Sequence, residues 1–236
     1  MRRYWICIKK KGITYQVLIP NLVGYERLKQ YKFDEFSIVI SVSNTHNKKN
    51  INLSVDEALE AYSSLALRAK YEKKPFRAYI SCAFGCPYEG AINIDSVVSL
   101  SQRLIQMGAY EISISDTIGI ATPVDIQALV SRLLLYIPKE KIALHLHDTR
   151  NLALTNIYVA MQLGISTFDT SFGGLGGCPY AFGAAGNVAT EDLVSMLYNL
   201  NVKTSVDLDK LCKASLYAQK ILNRKLPSKI LAMYNR

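Results

Sequence analysis

The sequence has 236 residues, half of them apolar and a fifth charged, which suits one globular domain and excludes a disordered chain. No apolar run approaches the ~20 residues that cross a bilayer, and residues 4–8, ended by Lys9-Lys10-Lys11, are too short for a secretory signal, so a cytoplasmic protein is expected. The net charge of +9 is scattered without a zinc-finger or RNA-binding signature, and an odd count of five cysteines makes no disulfide framework; neither nucleic acid nor membrane is an expected partner.

Short β-branched runs alternate with longer stretches that carry an apolar face, the pattern of repeated β-α units and a parallel sheet. A strand is expected over residues 15–19 and a helix over 22–30. A second strand at 36–42 leads to a helix at 54–71, opened by the capping-box pattern Ser54-Val55-Asp56-Glu57. Strands follow at 77–82 and 111–115, then a helix at 124–136 with Thr122 as N-cap and Pro123 in its first position. The last strands are 142–147 and 167–171; a glycine-rich loop comes next, then a helix opening at Thr190 and a terminal helical stretch at 206–223. Each strand reads as a short apolar run consistent with burial on both faces. Six such units are two fewer than a closed barrel needs. The expected fold is therefore α/β, a TIM-type (β/α)8 barrel lacking its first two strands, in a single domain over 1–236.

His145-Leu146-His147 ends the fifth strand, and the two-residue period of a strand points both imidazoles to one face, where they can share a metal or form a hydrogen-bonded pair. The C-terminal ends of barrel strands are where active sites are built. Gly173-Gly174-Leu175-Gly176-Gly177-Cys178-Pro179-Tyr180 follows the sixth strand; its glycines permit unusual backbone geometry and close ligand approach. Cys178 in that loop is a proton-transferring thiol or a structural residue. Asn187 offers a carbonyl oxygen to a hard cation or forms a turn. Asp116 places a carboxylate in the mouth or caps the next turn. Cys82 and Cys86, three residues apart in between, form no Cys-x-x-Cys site and are expected to shape a loop.

Arg77-Ala78-Tyr79-Ile80-Ser81-Cys82-Ala83-Phe84-Gly85-Cys86-Pro87-Tyr88-Glu89-Gly90, Ser115-Asp116-Thr117-Ile118-Gly119, His145-Leu146-His147-Asp148-Thr149 and Gly174-Leu175-Gly176-Gly177-Cys178-Pro179-Tyr180-Ala181 resemble successive blocks of the hydroxymethylglutaryl-CoA lyase family. The resemblance extends from Gly12 to Lys229. It implies that His145, His147 and Asn187 hold a Mg²⁺ or Mn²⁺ ion against the substrate's hydroxyl and carboxylate oxygens, with His145 also counted among the catalytic residues. It implies further that Cys178 assists proton transfer and that Asp116 and Arg77 orient the substrate or the metal shell. The implied reaction is retro-Claisen cleavage of 3-hydroxy-3-methylglutaryl-CoA to acetoacetate and acetyl-CoA. The implied partner is a small-molecule acyl-CoA, and a homo-oligomer is compatible with it.

The sequence departs from the family in lacking the Arg-Asp-Gly segment of a first strand, whose aspartate is a metal ligand and general base and whose arginine stabilises the enolate, and the second strand whose end carries an active-site glutamate. The chain alone is therefore expected to have little lyase activity. Two alternatives follow: an inactive remnant or pseudoenzyme that binds metal or acyl-CoA, and an acyl-CoA-dependent synthase of the same metal-barrel superfamily. The synthase shares the His-x-His strand, but the glycine-cysteine loop argues against it.

Overall fold

The computed structural model describes residues 10–176 and 186–234. Six strands form one parallel sheet in sequence order: β1 (Gln16–Leu18), β2 (Glu35–Ser41), β3 (Phe76–Ser81), β4 (Glu111–Asp116), β5 (Ile142–Leu146) and β6 (Thr167–Asp169). Helices α1 (Leu22–Leu28), α2 (Asn44–Ile51), α3 (Val55–Tyr71), α4 (Ile94–Met107), α5 (Pro123–Leu134) and α6 (Ala153–Gln162) lie between the strands, and α7 (Thr190–Asn199), α8 (Leu208–Leu222) and α9 (Lys229–Tyr234) follow β6. The expected capping box of Ser54 and Glu57 closes the start of α3, and Thr122, the expected N-cap, forms a second box with Asp125 at the start of α5.

The strands are not apolar on both faces. In β2 through β5 the residues Phe36, Ile38, Ile40, Ala78, Ile80, Ile112, Ile114, Leu144 and Leu146 form one buried apolar face, packed with Leu59, Tyr62 and Leu65 of α3, Val97 and Leu104 of α4 and Ile126 and Leu129 of α5. The alternate residues include Ser37, Tyr79, Ser81, Ser115 and His145, which line a cavity on the other side of the sheet. The sheet thus carries a conventional core on its helical face, where burial stabilises at ~25 cal/mol per Å², and polar groups on its concave face.

The helix α2 had no counterpart in the sequence reading, because its residues are polar and show no apolar period. Its ends are fixed locally instead. Ser43 accepts from the His46 backbone N–H at 3.0 Å, and Asn52 ends the helix in the left-handed region. Inside it, the buried Asn47 accepts from Ser41 N–H at 2.9 Å and donates to the Leu53 and Ser54 carbonyls at 2.9 and 3.1 Å. One side chain thereby joins the end of β2, α2 and the start of α3.

Candidate active site

The cavity on the concave face of the sheet has a volume of about 600 Å³. His145 enters it from β5, and His147, one residue past the strand, enters beside it; their ring centroids are 5.3 Å apart. Asn187 arrives from a separate segment that pairs with the end of β5: Val188 N–H donates to Leu146 O at 3.2 Å, Asp148 N–H donates to Gly186 O at 3.1 Å, and His147 and Asn187 form an isolated antiparallel bridge. The structure thus brings together His145, His147 and Asn187.

Glycine makes this approach geometrically available. Gly186 has φ +98° and a Cβ there would stand 2.7 Å from Gly176 O; a Cβ on Gly176, at φ +93°, would stand 2.9 Å from Asn187 Nδ2. The Asn187 amide donates to Leu175 O at 2.9 Å, which fixes the end that carries its hydrogens. Below it, buried Glu191 of α7 accepts from Gly173 N–H at 2.7 Å and from the Ser215 hydroxyl of α8, pinning the start of the glycine loop to two helices. Cys178 lies outside the described residues.

Burial, and next the neighbouring His145, lower the His147 pKa to about 4, so its imidazole is neutral and able to ligate at neutral pH. His147 Nδ1 and His145 Nδ1 are both buried without a hydrogen-bond partner. His145 Nδ1 stands 3.6 Å from Asp169 Oδ2. Burial alone would push Asp169 up, yet His145, Arg77 and Ser113 together hold it below its ordinary value. Among the described residues no three His, Cys, Asp or Glu side chains converge as a metal site; the cluster here is two histidines and an amide. Two imidazoles, His145 with its Nδ1 facing Asp169, and the fixed amide fit a divalent cation that draws its remaining ligands from substrate or water.

Two expected site residues are placed elsewhere. Asp116 falls on the helical side of β4, buried, where its carboxylate accepts from the backbone N–H groups of Ile120 at 3.0 Å and Ala121 at 2.9 Å. There it caps the turn that follows the strand, and it is not among the residues that line the cavity. Arg77 is at the N-terminal end of β3, away from the cavity lining, in ion pairs with Glu111 at 2.5 Å and Asp169 at 2.6 Å. It reaches the site through Asp169 and His145 and through the Tyr79 hydroxyl, to which it donates at 2.8 Å, which makes it a positioning residue. Cys82 and Cys86 do shape a loop: Cys82 N–H donates to Thr117 Oγ1 at 2.8 Å, Cys86 and Gly90 exchange backbone hydrogen bonds, and both thiols are buried. Sequence reasoning missed His46 of α2, which also lines the cavity.

The HMGL-like family profile matches residues 9–217. The mitochondrial hydroxymethylglutaryl-CoA lyase of Gallus gallus is 45% identical over 222 residues, covering 94% of this chain and 74% of that protein. The crystal structure of the Bacillus subtilis HMG-CoA lyase superposes with a TM-score of 0.94 at 43% identity, over 97% of this chain and 77% of that one. An HMG-CoA lyase from Acinetobacter baumannii, solved with coenzyme A and 3-methylmalate, gives a TM-score of 0.90 at 37% identity, over 94% and 72% of the two chains.

Proposed function

This chain belongs with the hydroxymethylglutaryl-CoA lyases in the HMGL-like family, and from that premise we propose that its cavity cleaves 3-hydroxy-3-methylglutaryl-CoA to acetoacetate and acetyl-CoA. It is a carbon–carbon lyase. The observation that carries the site assignment is the convergence of His145, His147 and Asn187 on one cavity.

His145, His147 and Asn187 would hold the Mg²⁺ or Mn²⁺ ion. When bound, such an ion lowers the pKa of the substrate hydroxyl and offsets the charge that builds on oxygen. The other steps belong to substrate and protein. The tertiary hydroxyl loses its proton, the electron pair of the carbon–carbon bond leaves with the acetyl-CoA carbon as an enolate, acetoacetate forms, and a proton returns to the enolate carbon. Cys178 is assigned that proton transfer. Arg77 and Asp169 fix the His145 ring from behind; Tyr79, Ser115 and Thr117 give the cavity wall hydroxyl groups that orient polar substrate atoms. The described sheet is taken as six of the eight strands of a TIM-type barrel. No described helix is long and apolar enough to cross a membrane, and the protein is assigned to the cytoplasm with a small acyl-CoA ligand.

Mn²⁺ titrated against the parent and against His147→Ala, followed by electron paramagnetic resonance, should show tighter binding by the parent. Equal affinities would remove the metal assignment. Acetyl-CoA release from 3-hydroxy-3-methylglutaryl-CoA with Mg²⁺ tests the reaction itself, and release unchanged in His147→Ala would place the chemistry elsewhere.

A further inference from the structure

Arg77, Glu111 and Asp169 leave one charge unmatched. Arg77 Nε pairs with Glu111 at 2.5 Å and Arg77 Nη1 with Asp169 at 2.6 Å, and the three side chains are 5%, 11% and 20% exposed. One guanidinium thus serves two carboxylates, and among the described residues no lysine or second arginine forms an ion pair with either. A largely buried carboxylate without a full counter-charge is costly, and such groups are ordinarily paired or set beside a metal. The surplus points toward the site, because the remaining neighbour of Asp169 is His145, whose Nδ1 stands 3.6 Å from its Oδ2. Asp169 is also rigidly held: Oδ1 accepts from Arg77 Nη1 and Oδ2 accepts from the Ser113 hydroxyl at 2.7 Å. It does not line the cavity, so it acts through the imidazole in front of it.

His145 lines the cavity, yet its Nδ1 has no access to solvent, so the ring edge that opens into the cavity is the one carrying Nε2. The two nitrogens of a neutral imidazole differ, one bearing the hydrogen and the other a lone pair. At 3.6 Å the contact with Asp169 is electrostatic rather than a formed hydrogen bond. A carboxylate at that distance still favours the form that turns N–H toward it over the form that turns a lone pair toward it. The Tyr79 ring braces His145 from the side, edge to face with centroids 5.9 Å apart. We propose that Asp169 holds His145 as the Nδ1–H tautomer, so that the Nε2 lone pair faces the ion, and that its surplus charge supplies the anionic character that two imidazoles and an amide lack. This rests on the metal assignment of the lyase reading and adds which nitrogen of His145 ligates and what selects it.

The hydrogen can be located without any ion. In the ¹⁵N-histidine spectrum of the metal-free parent at neutral pH, simple because the protein has three histidines, His145 should appear as the Nδ1–H form. In Asp169→Asn, which keeps the size of the side chain and removes its charge, the Nε2–H form should replace it in part or in whole, while the His147 signals keep their pattern. Mn²⁺ affinity, followed by electron paramagnetic resonance, should fall about 10- to 100-fold in this variant, the usual consequence of losing the partner of a ligating histidine. A role in packing alone would leave the tautomer as it is in the parent. A parent in which His145 carries its hydrogen on Nε2 would overturn the proposal, and that reading requires no variant to fold. Equal Mn²⁺ affinities for the parent and Asp169→Asn would overturn it too. Either result leaves the comparison with His147→Ala, and with it the lyase reading, intact. A parent that binds no Mn²⁺ would remove both.

Discussion

His147 shows what the concave face costs. Its folded pKa of about 4 lies below the ordinary 6.5, so between those values the unfolded chain binds a proton that the folded chain refuses. The stability tied to this residue is complete above pH 6.5 and is lost as the pH falls toward 4, by up to roughly 3 kcal/mol. Urea unfolding at pH 7 and pH 4.5 should show the parent losing more stability than His147→Gln, by about 2 kcal/mol; equal losses would contradict the shift. Much at this scale was legible beforehand. Strand alternation alone put His145 and His147 on one face, whereas Asn187 read equally as an oxygen donor to a cation or as a turn residue. Arg77 carried an unused signal, since the first residue of a predicted strand lies at the end opposite the active-site mouth. Asp116 needed the contacts themselves, because a carboxylate at a strand end faces the mouth or the turn according to one residue of phase. His46 was illegible: a lone histidine in a polar helix says nothing of what it faces.

Among the elements, the six strands fall within a few residues of their expected places, since β-branched runs bounded by turn residues mark them. Their inner faces were misread as apolar because serines and a tyrosine interleave with strong isoleucine and leucine signals. The helix α2 escaped notice for the reverse reason. It holds its place through hydrogen bonds rather than an apolar stripe, and Asn47 makes three of them while fully buried. Asn47→Leu leaves the Ser41 N–H and two carbonyls without partners. It should lower the unfolding free energy by about 2–4 kcal/mol, read from the urea midpoint at constant m-value. A loss under 1 kcal/mol would mean that α2 is anchored by something else. The same variant should loosen His46, which sits next to Asn47 in that helix.

For the whole molecule, the described sheet ends on β1 at one side and β6 at the other, and strand edges with unpaired backbone groups invite association with other chains. Six strand-helix units were countable from sequence. The placement of residues 177–185, and with it Cys178, lies outside the described structure. If the sheet is six-eighths of a barrel, a chimera carrying the first two strands of the Bacillus subtilis lyase ahead of this chain should release acetyl-CoA faster than the 236-residue chain, by ~10²-fold or more, the typical contribution of a positioned general base. Equal rates from a monomeric 236-residue chain would refute that account. The alternation along the strands has a further consequence for how such a protein can change over generations. Because neighbouring residues serve opposite sides of one sheet, a drifting lineage can vary Ser37, Val39 or Ser115 to alter what the cavity accepts while Phe36, Ile38 and Ile114 keep the helical jacket in place. A one-residue insertion before His145 would exchange the two alphabets, burying histidine among leucines and offering leucine to the substrate, so chemistry and fold would fail in a single step.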